Sequence, residues 1–280
     1  MPAAYAHLKF GREVLAALPD PAAAVIRENF DAYALGLHGP DVLFYYRPLF
    51  PNKTSAVGYR LHDEPASDFF CAARATYLGR GARPLDRAYL FGFLCHFALD
   101  SACHPLVNAK IASSGVTHTE IESSFDRMLL LEDGKEPFSV DLTGHILPTD
   151  ANADAAGAYL GTDKKRTAKA IRSMKFYNFL LRAPGRIKRG MVVSLLKLSG
   201  NYKEMHGMML PLQKDERCAD SDQALRAAFA EGVGVAEALI GWYENFLRAG
   251  GAAPERLKRN YEEKEAPMAA ENTVENTAGK

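Results

Sequence analysis

Residues 92–105 read Gly-Phe-Leu-Cys-His-Phe-Ala-Leu-Asp-Ser-Ala-Cys-His-Pro, and this stretch decides the fold. His96, Asp100 and His104 are four residues apart, which places them in one stripe along a helix. The neighbouring positions are apolar nearly all round, a pattern typical of a buried helix. We therefore predict a helix over about 86–103 that ends before His104-Pro105, because the residue before a proline disfavours helical geometry.

A second pair of side chains with the same spacing follows. His118 and Glu122 are again four residues apart, so two facing helices would bring five nitrogen and oxygen ligands together. Zinc usually takes four such ligands, and five indicate at least two ions. Burying Asp100 without a partner would cost several kcal/mol, and no Lys or Arg lies between Arg87 and Lys110. A metal cation is therefore the partner that we predict for this acid.

The rest of the chain is punctuated by helix caps, prolines and glycines. We predict an all-α fold: a single multi-helix bundle with a multi-metal cleft. Residues 135–160 are expected to be loop-rich. Residues 1–250 are assigned to the helical domain, and 251–280 to a short helix and a disordered tail, because 262–280 are rich in Glu, Asn and Thr. The further expected helices cover residues 21–36, 40–46, 65–77, 117–131, 164–182, 186–198 and 221–248.

Composition narrows the setting. The chain has 280 residues, no net charge, and four cysteines without a Cys-x-x-Cys pair. Such cysteines are typical of reduced thiols, so we expect a reducing compartment such as the cytoplasm. The N-terminus lacks a signal-peptide pattern, and no run approaches the roughly 20 apolar residues of a membrane span. We therefore expect no transmembrane segment.

One segment is strongly basic. Residues 164–203 contain twelve Lys and Arg and no Asp or Glu, together with several aromatic and aliphatic side chains. A basic, apolar helical stretch can attach peripherally to an anionic membrane or to nucleic acid. It can equally be a solvated face that acidic neighbours balance in the fold, and the sequence leaves both interpretations open.

Over roughly residues 1–130 the chain resembles the zinc-dependent phospholipase C family, which is related to the fungal single-strand-specific zinc nucleases. Four pieces occur in the family's order, and beyond residue 130 no motif matches. The matching residues are His7 within Tyr5-Ala6-His7-Leu8-Lys9, Asp41 within Gly36-Leu37-His38-Gly39-Pro40-Asp41, His62 within Gly58-Tyr59-Arg60-Leu61-His62, and the set from His96 to Glu122.

The resemblance implies an α-helical bundle with up to three zinc ions in a cleft. It implies that Asp100 bridges two ions and that Asp41 is both a ligand and a general base. Secreted members complete the His7 site with the free amine of an aromatic first residue. Removal of Met1 would instead expose Pro2 here, so the resemblance leaves open whether the centre holds two or three ions. The implied ligand sets are Asp41, His62, His96 and Asp100 for one ion, His7 with Asp100 for a second, and His104, His118 and Glu122 for a third.

The resulting hypothesis is a hydrolase that cleaves phosphodiester bonds, above all those of phospholipid head groups, with a zinc-activated water. The alternatives are a single-strand nuclease-like phosphodiesterase and a metal-binding protein without catalysis. Residues 44–46 follow Asp41 and could form core or a substrate-facing wall. Asp126 could support the site or lie at the surface. His38 lies three residues from Asp41 and could support the site, although the sequence favours a structural or surface role. His145 and His206 have no acid at ligand spacing and are not predicted as ligands.

Overall fold

The computed structural model describes residues 4–200 and 202–262. Within these residues the backbone forms α-helices and short 3-10 helices and no β-strand, which confirms the all-α prediction. The 3-10 helices are Gly39–Tyr45, His206–Met208, Glu216–Cys218 and Glu255–Lys258. The α-helices are α1 (Ala4–Ala17), α2 (Ala22–Glu28), α3 (Phe30–Gly36), α4 (Lys53–Asp63), α5 (Ala66–Gly79), α6 (Pro84–Ser114), α7 (His118–Glu132), α8 (Asp150–Tyr159), α9 (Lys164–Leu181), α10 (Arg186–Leu198), α11 (Tyr202–Met205) and α12 (Ala219–Ala249).

Helix α6 is the centre of the bundle, and α1, α3, α8 and α12 pack around it. Its crossing with α3 is unusually close, because Gly36 and Gly92 face each other. A Cβ on Gly92 would lie 2.1 Å from the carbonyl oxygen of Tyr33, and a Cβ on Gly36 would lie 2.1 Å from that of Tyr89. Only glycine permits this approach, which brings the segment after α3 against the middle of α6.

The predicted end of the central helix is wrong. Helix α6 continues through Pro105, although proline removes one helical hydrogen bond. Its buried stripe goes on at Val107, so packing continues to favour the helix after the proline. The helix ends at Gly115, whose left-handed backbone (φ 68°) lets its N–H donate to the carbonyl of Ile111. His104 consequently lies inside the helix.

Two other predictions about elements need correction. The helix expected over 21–36 is split at Asn29, whose φ of −126° and ψ of 39° interrupt it between α2 and α3. The stretch 135–160 is not entirely loop, because it contains α8. Half of the residues of that helix are alanine, which has the highest helix propensity. The Thr149 side chain caps the helix by accepting a hydrogen bond from the N–H of Asn152.

The chain after α12 returns to the bundle. Leu257 and Tyr261 are buried in the same hydrophobic core as α6. The remainder of the predicted tail, 263–280, lies outside the described residues, so its disorder and the domain boundary at residue 250 stay predictions. Residues 1–3, which include Pro2, lie outside as well.

Within the described ranges, one helix has the length and hydropathy of a membrane span, and it is α6. In its most apolar window 83% of the residues are buried inside the protein, as in the core helix of a globular fold.

Candidate metal centre

The eight predicted ligand side chains come together at the middle of α6. Helix α6 brings three of them, and the four elements around it bring the others. His118 is the least buried, with 29% of its side chain exposed, and His62 follows with 12%. The centre therefore opens to solvent on the side of these two rings. The ligands come from α1 (His7), the 3-10 helix Gly39–Tyr45 (Asp41), α4 (His62), α6 (His96, Asp100, His104) and α7 (His118, Glu122).

The first group contains His7, Asp41, His96 and Asp100, with one potential ligand atom from each lying within 4.8 Å of all the others. The Nε2 atoms of His7 and His96 lie 3.3 and 3.2 Å from the two oxygens of Asp100. His62 joins from the open side, because its Nε2 lies 3.0 Å from Oδ1 of Asp41. Five nitrogen and oxygen ligands thus surround one small space.

The second group contains His104, His118 and Glu122. Oε1 of Glu122 lies 3.0 Å from Nε2 of His118 and 3.9 Å from Nε2 of His104. Asp100 connects the two groups, since its Oδ2 lies 3.8 Å from Nε2 of His104 and 3.2 Å from that of His96. One carboxylate therefore faces both groups.

The facing atoms are near each other but do not satisfy one another. Buried atoms without a hydrogen bond include both carboxylate oxygens of Asp41, Oδ2 of Asp100, and Nε2 of His62, His96, His104 and His118. Buried polar atoms are nearly always hydrogen-bonded, and leaving several unpaired in one place would be costly. Imidazole nitrogens and carboxylate oxygens converging in this way are the donor set of zinc. The residues present fit the predicted metal.

Two neighbours orient ligand imidazoles from behind. The Nδ1–H of His62 donates to the carbonyl of Gly58 at 2.8 Å, which turns the Nε2 lone pair toward Asp41. Nδ1 of His104 lies 3.2 Å from Oε1 of Glu262, and this negative charge favours a proton on Nδ1. In both rings Nε2 remains as the atom that faces the centre.

The electrostatics favour the ligand forms of the acids. Burial alone would raise the pKa of Asp100, but His96 and His104 outweigh it and hold the pKa well below its usual range. Asp41 behaves similarly: burial opposes ionisation, while His96 and His62 bring the pKa below its ordinary value. Both carboxyls are therefore anions at neutral pH, the state in which carboxylates bind metal.

The two histidines of α6 differ in their pKa values. Burial lowers the pKa of His96 to about 4, so its ring is neutral and ready to coordinate. Burial also opposes a proton on His104, but Asp100 and then Glu262 raise its pKa to about 9. A metal ion that binds His104 at neutral pH must displace a proton.

Asp126 supports the site from the side of α1. It is fully buried on α7, and its two oxygens accept from the N–H groups of Tyr5 at 3.1 Å and Ala6 at 2.8 Å. These N–H groups belong to the first turn of α1, where a helix has no internal acceptors for them. Asp126 therefore caps the helix that carries His7. Burial raises the pKa of Asp126 to about 7.

Several features were missed by the sequence interpretation. His38 and His145, which are far apart in sequence, are joined Nε2 to Nε2 at 2.7 Å, and the His38 ring centroid lies 6.0 Å from that of His7. The Tyr261 ring lies against His62 at 4.7 Å. The contact of Glu262 with His104 had no signal in sequence spacing, because the two residues are far apart in the sequence.

An apolar cavity of about 210 Å³ lies beside the open side of the centre. The Phe44 ring stacks on His62 at 5.3 Å, while Tyr45 is buried, so residues 44–46 provide both a wall and core. Thr119, which follows the ligand His118, reaches the same cavity. The lining residues are Phe44, Tyr45, Pro48, Tyr59, Thr119, Met205 and Met208.

Comparison with known proteins gives one match. A family model described as zinc dependent phospholipase C matches residues 6–178. This segment is more than half of the 280-residue chain and contains all eight predicted ligands. No curated protein and no solved structure matches the chain.

Proposed function

The chain belongs to the zinc-dependent phospholipase C family, and from this premise we propose that it hydrolyses the phosphodiester bond of phospholipid head groups. The observation that carries this proposal is the cluster of eight predicted ligand side chains, six of them buried, in which most of the facing atoms lack hydrogen bonds. A site with such a donor set at the edge of an apolar cavity suits a substrate with a phosphate and an apolar part.

We propose that the centre holds two or three zinc ions. Asp41, His62, His96 and Asp100 would hold one ion, His7 would share Asp100 for another, and His104, His118 and Glu122 would hold the last. When bound, zinc supplies Lewis-acid polarisation of phosphate oxygens and makes a nucleophile of water near neutral pH.

In this proposal Asp41 orients the attacking water and accepts its proton. Both of its oxygens are buried without hydrogen bonds, and its pKa is lowered, so one oxygen remains available as a base. His62 and His96 stabilise the anionic form of this carboxylate. General base catalysis of this type contributes about 10²- to 10⁴-fold to the rate.

The apolar cavity gives the proposed substrate its orientation. Phe44 lies between the cavity and the ligand His62, so a phosphodiester at the centre would direct an acyl-bearing or choline part toward Phe44 and Tyr59. Aromatic faces attract quaternary ammonium groups, and the methionine side chains of Met205 and Met208 suit flexible apolar groups.

A nuclease-like activity is the second candidate. Tyr59 is 62% exposed, and its ring lies 4.5 Å from that of Phe44 beside the centre. An exposed aromatic side chain at this place can stack on a nucleic-acid base. A third possibility, a metal-binding protein without catalysis, is separated from both by the assay below.

The test is hydrolysis by the zinc-loaded chain of three substrates: phosphatidylcholine, p-nitrophenylphosphorylcholine and single-stranded DNA. We expect release of phosphocholine from the lipid and of p-nitrophenol from the soluble ester, both lost with a chelator and restored by zinc. Cleavage of DNA alone would favour the nuclease. No hydrolysis by a fully loaded chain would leave only the non-catalytic alternative.

We also propose that the protein works in a reducing compartment such as the cytoplasm, in peripheral contact with membrane through residues 164–203. The four cysteines are unpaired, and three of them are buried, which suits a chain that keeps its thiols reduced.

A further inference from the structure

Helix α10 exposes an apolar stripe to solvent. Ile187, Met191, Leu195 and Leu198 are exposed by 83%, 69%, 56% and 87%. At about 100° per residue these four side chains fall within an arc of about 80° on the helix. The opposite face of α10 is already used, because Val192 and Leu196 pack into a small apolar cluster with Met205 and Met209. The exposed stripe is therefore a second apolar face, which nothing in the described residues covers.

Cations border this stripe on both sides. Lys188 lies just beyond the edge that Leu195 forms, and Arg186 and Lys197 lie beyond the other edge, which Ile187 forms. The Nζ of Lys188 lies 4.6 Å from the centre of the Phe179 ring, and Phe179 is itself 60% exposed on α9. An apolar stripe with Lys and Arg at its borders is the pattern of a helix that lies in a membrane interface.

The cations of α10 are not balanced by acids. In the basic segment the ion pairs are those of Lys164 with Asp150 and Arg166 with Asp163, both at the start of α9. For the cations from Lys169 to Lys197, no acidic partner lies within 4.0 Å among the described residues. The sequence left open that acidic neighbours balance the basic segment. This interpretation applies to the start of α9 and not to α10.

Arg189 is the exception within α10. Its guanidinium donates to the carbonyls of Leu210 at 2.8 Å and Met209 at 3.5 Å, and it is partly buried. This arginine fastens α10 to the following segment and is not available to an external partner.

The buried face of α10, and not its exposed stripe, packs against a residue that lines the proposed substrate cavity. Met205 and Met208, in the segment after α10, line the apolar cavity beside the metal centre. The hydroxyl of Ser123 donates to the carbonyl of Gly207 at 2.5 Å, which fastens the same segment to α7 next to the ligand Glu122. Helix α10 therefore lies between its exposed stripe and this wall of the cavity.

We propose that α10 docks the protein on anionic phospholipid bilayers, with its apolar stripe among the acyl chains and with Arg186, Lys188 and Lys197 at the lipid phosphates. The occupant follows from charge and shape: unpaired cations select an anionic surface, and a convex apolar stripe suits a fluid one. The inference rests on the proposed function, since docking would hold the chain at a surface that contains its proposed phosphodiester substrate.

The test is co-sedimentation of the full chain with vesicles of phosphatidylcholine, alone or with phosphatidylserine, at low and high salt. We expect tighter binding to vesicles with phosphatidylserine, weakened by salt because charges near the leaflet are screened. Arg186→Gln with Lys197→Gln should lower this affinity about tenfold or more. Ile187→Ser with Leu198→Ser should abolish the binding that remains at high salt.

Matched controls come from the same chain. Lys164→Gln with Arg166→Gln removes two exposed but paired cations of α9, and Leu78→Ser removes a leucine that is 47% exposed on α5. Neither control should change vesicle binding, and all these variants should hydrolyse the soluble ester like the wild type. The inference would be overturned if the control and α10 variants lost vesicle affinity equally. It would also be overturned if phosphatidylserine did not increase the vesicle affinity of the wild type.

The design separates this inference from the proposed function. Hydrolysis of the soluble ester without vesicle binding would overturn the docking role and leave the enzyme in place. Vesicle binding that depends on α10 in a chain without hydrolysis would support docking while overturning the enzyme. If analytical ultracentrifugation shows a dimer that Ile187→Ser with Leu198→Ser dissociates, and vesicles bind neither form, the stripe is an interface between copies and docking is excluded.

Discussion

At the scale of single residues, Asp100 explains why the two ligand groups form one centre. Its Oδ1 faces His7 at 3.3 Å, while its Oδ2 faces His96 at 3.2 Å and His104 at 3.8 Å. The carboxylate is only 3% exposed. A buried anion with this many facing nitrogens needs positive charge nearby, and cations in both groups would provide it.

Asp41→Asn tests the proposed base. The amide cannot accept the proton of water, so kcat on p-nitrophenylphosphorylcholine should fall by about 10² or more, while KM changes little. The other ligands still hold metal, and zinc content measured by elemental analysis should decrease by at most one ion per chain. An unchanged kcat in a fully loaded variant would remove Asp41 from the proposed mechanism.

Glu122→Gln tests the second group. An amide is a poorer zinc ligand than a carboxylate, so dialysis against a weak chelator should remove about one ion per chain more than from the wild type. The thermal unfolding of the metal-free variant should remain cooperative. The matched control is Glu132→Gln on the same helix, where the acid only pairs with Arg226 at 3.1 Å on the surface. Equal zinc retention in both variants would speak against Glu122 as a ligand.

The structure brings together all eight side chains that the sequence proposes as ligands: five of them lie at helical spacing within one short stretch, and the others belong to motifs of the family resemblance. Asp126 was left undecided, since spacing places it near Glu122 without showing which donors it meets. The pair His38 and His145 and the contact of Glu262 with His104 were not predictable, because they depend on how distant segments pack.

At the scale of elements, the crossing of α3 and α6 positions the centre. Gly92→Ala would place a methyl group 2.1 Å from the carbonyl of Tyr33, so the helices must separate. We expect the free energy of unfolding to fall by about 1–3 kcal/mol, as for other overpacked cores. Because His96 lies one turn after Gly92, zinc affinity should fall too, as measured by competition with a chromogenic chelator.

The matched control for this crossing is Gly241→Ala in α12. A Cβ at Gly241 has no atom within 4 Å, so the change only improves helix propensity. Urea unfolding should show a gain of up to about 1 kcal/mol, with zinc affinity unchanged. A similar loss of stability in both variants would show that the close approach at Gly92 is not what matters.

The C-terminal segment gives a second prediction for an element. Glu262→Gln removes the charge that favours a proton on Nδ1 of His104, so zinc affinity of the second group should fall about tenfold or more. Tyr261→Phe keeps the ring against His62 and removes only a buried hydroxyl, and it should bind zinc like the wild type. Equal zinc affinity in the Glu262 variant and the wild type would show that this segment does not orient His104.

Elements with a strong apolar stripe or clear caps, such as α7, α9 and α12, lie close to where the sequence places them. The errors have physical causes. At Pro105 the continuing buried stripe outweighs the local cost of proline, and in α8 alanine propensity acts without an apolar pattern. Local rules could not reveal either balance, because tertiary packing decides both.

At the scale of the whole molecule, one hydrophobic core includes residues from α1 to Tyr261, and the candidate metal centre lies inside it. The predicted ligands come from five elements, so bound ions would cross-link parts of the chain that are distant in sequence. The family match ends at residue 178, yet α11, the 3-10 helix that follows it, α12 and the C-terminal segment also border the centre or its cavity. The second half of the chain therefore contributes to the site, although it contains no sequence motif that predicts this contribution.

Removal of zinc should consequently destabilise the entire fold. Without cations the buried acids and histidines of the centre are left facing one another with unpaired atoms. An ion that binds only the folded state at about 1,000 times its dissociation constant adds about 4 kcal/mol, and each kcal/mol shifts Tm by about 2–4 °C for a chain of this size. Calorimetry with a strong chelator should therefore show Tm lower by about 10 °C or more, recovered when zinc is added back.

In Glu122→Gln the difference in Tm between zinc-loaded and chelated protein should be smaller, because one ion is held less tightly. A wild-type Tm that ignores the chelator, in protein shown by elemental analysis to have lost its metal, would mean that the buried centre is stable without cations.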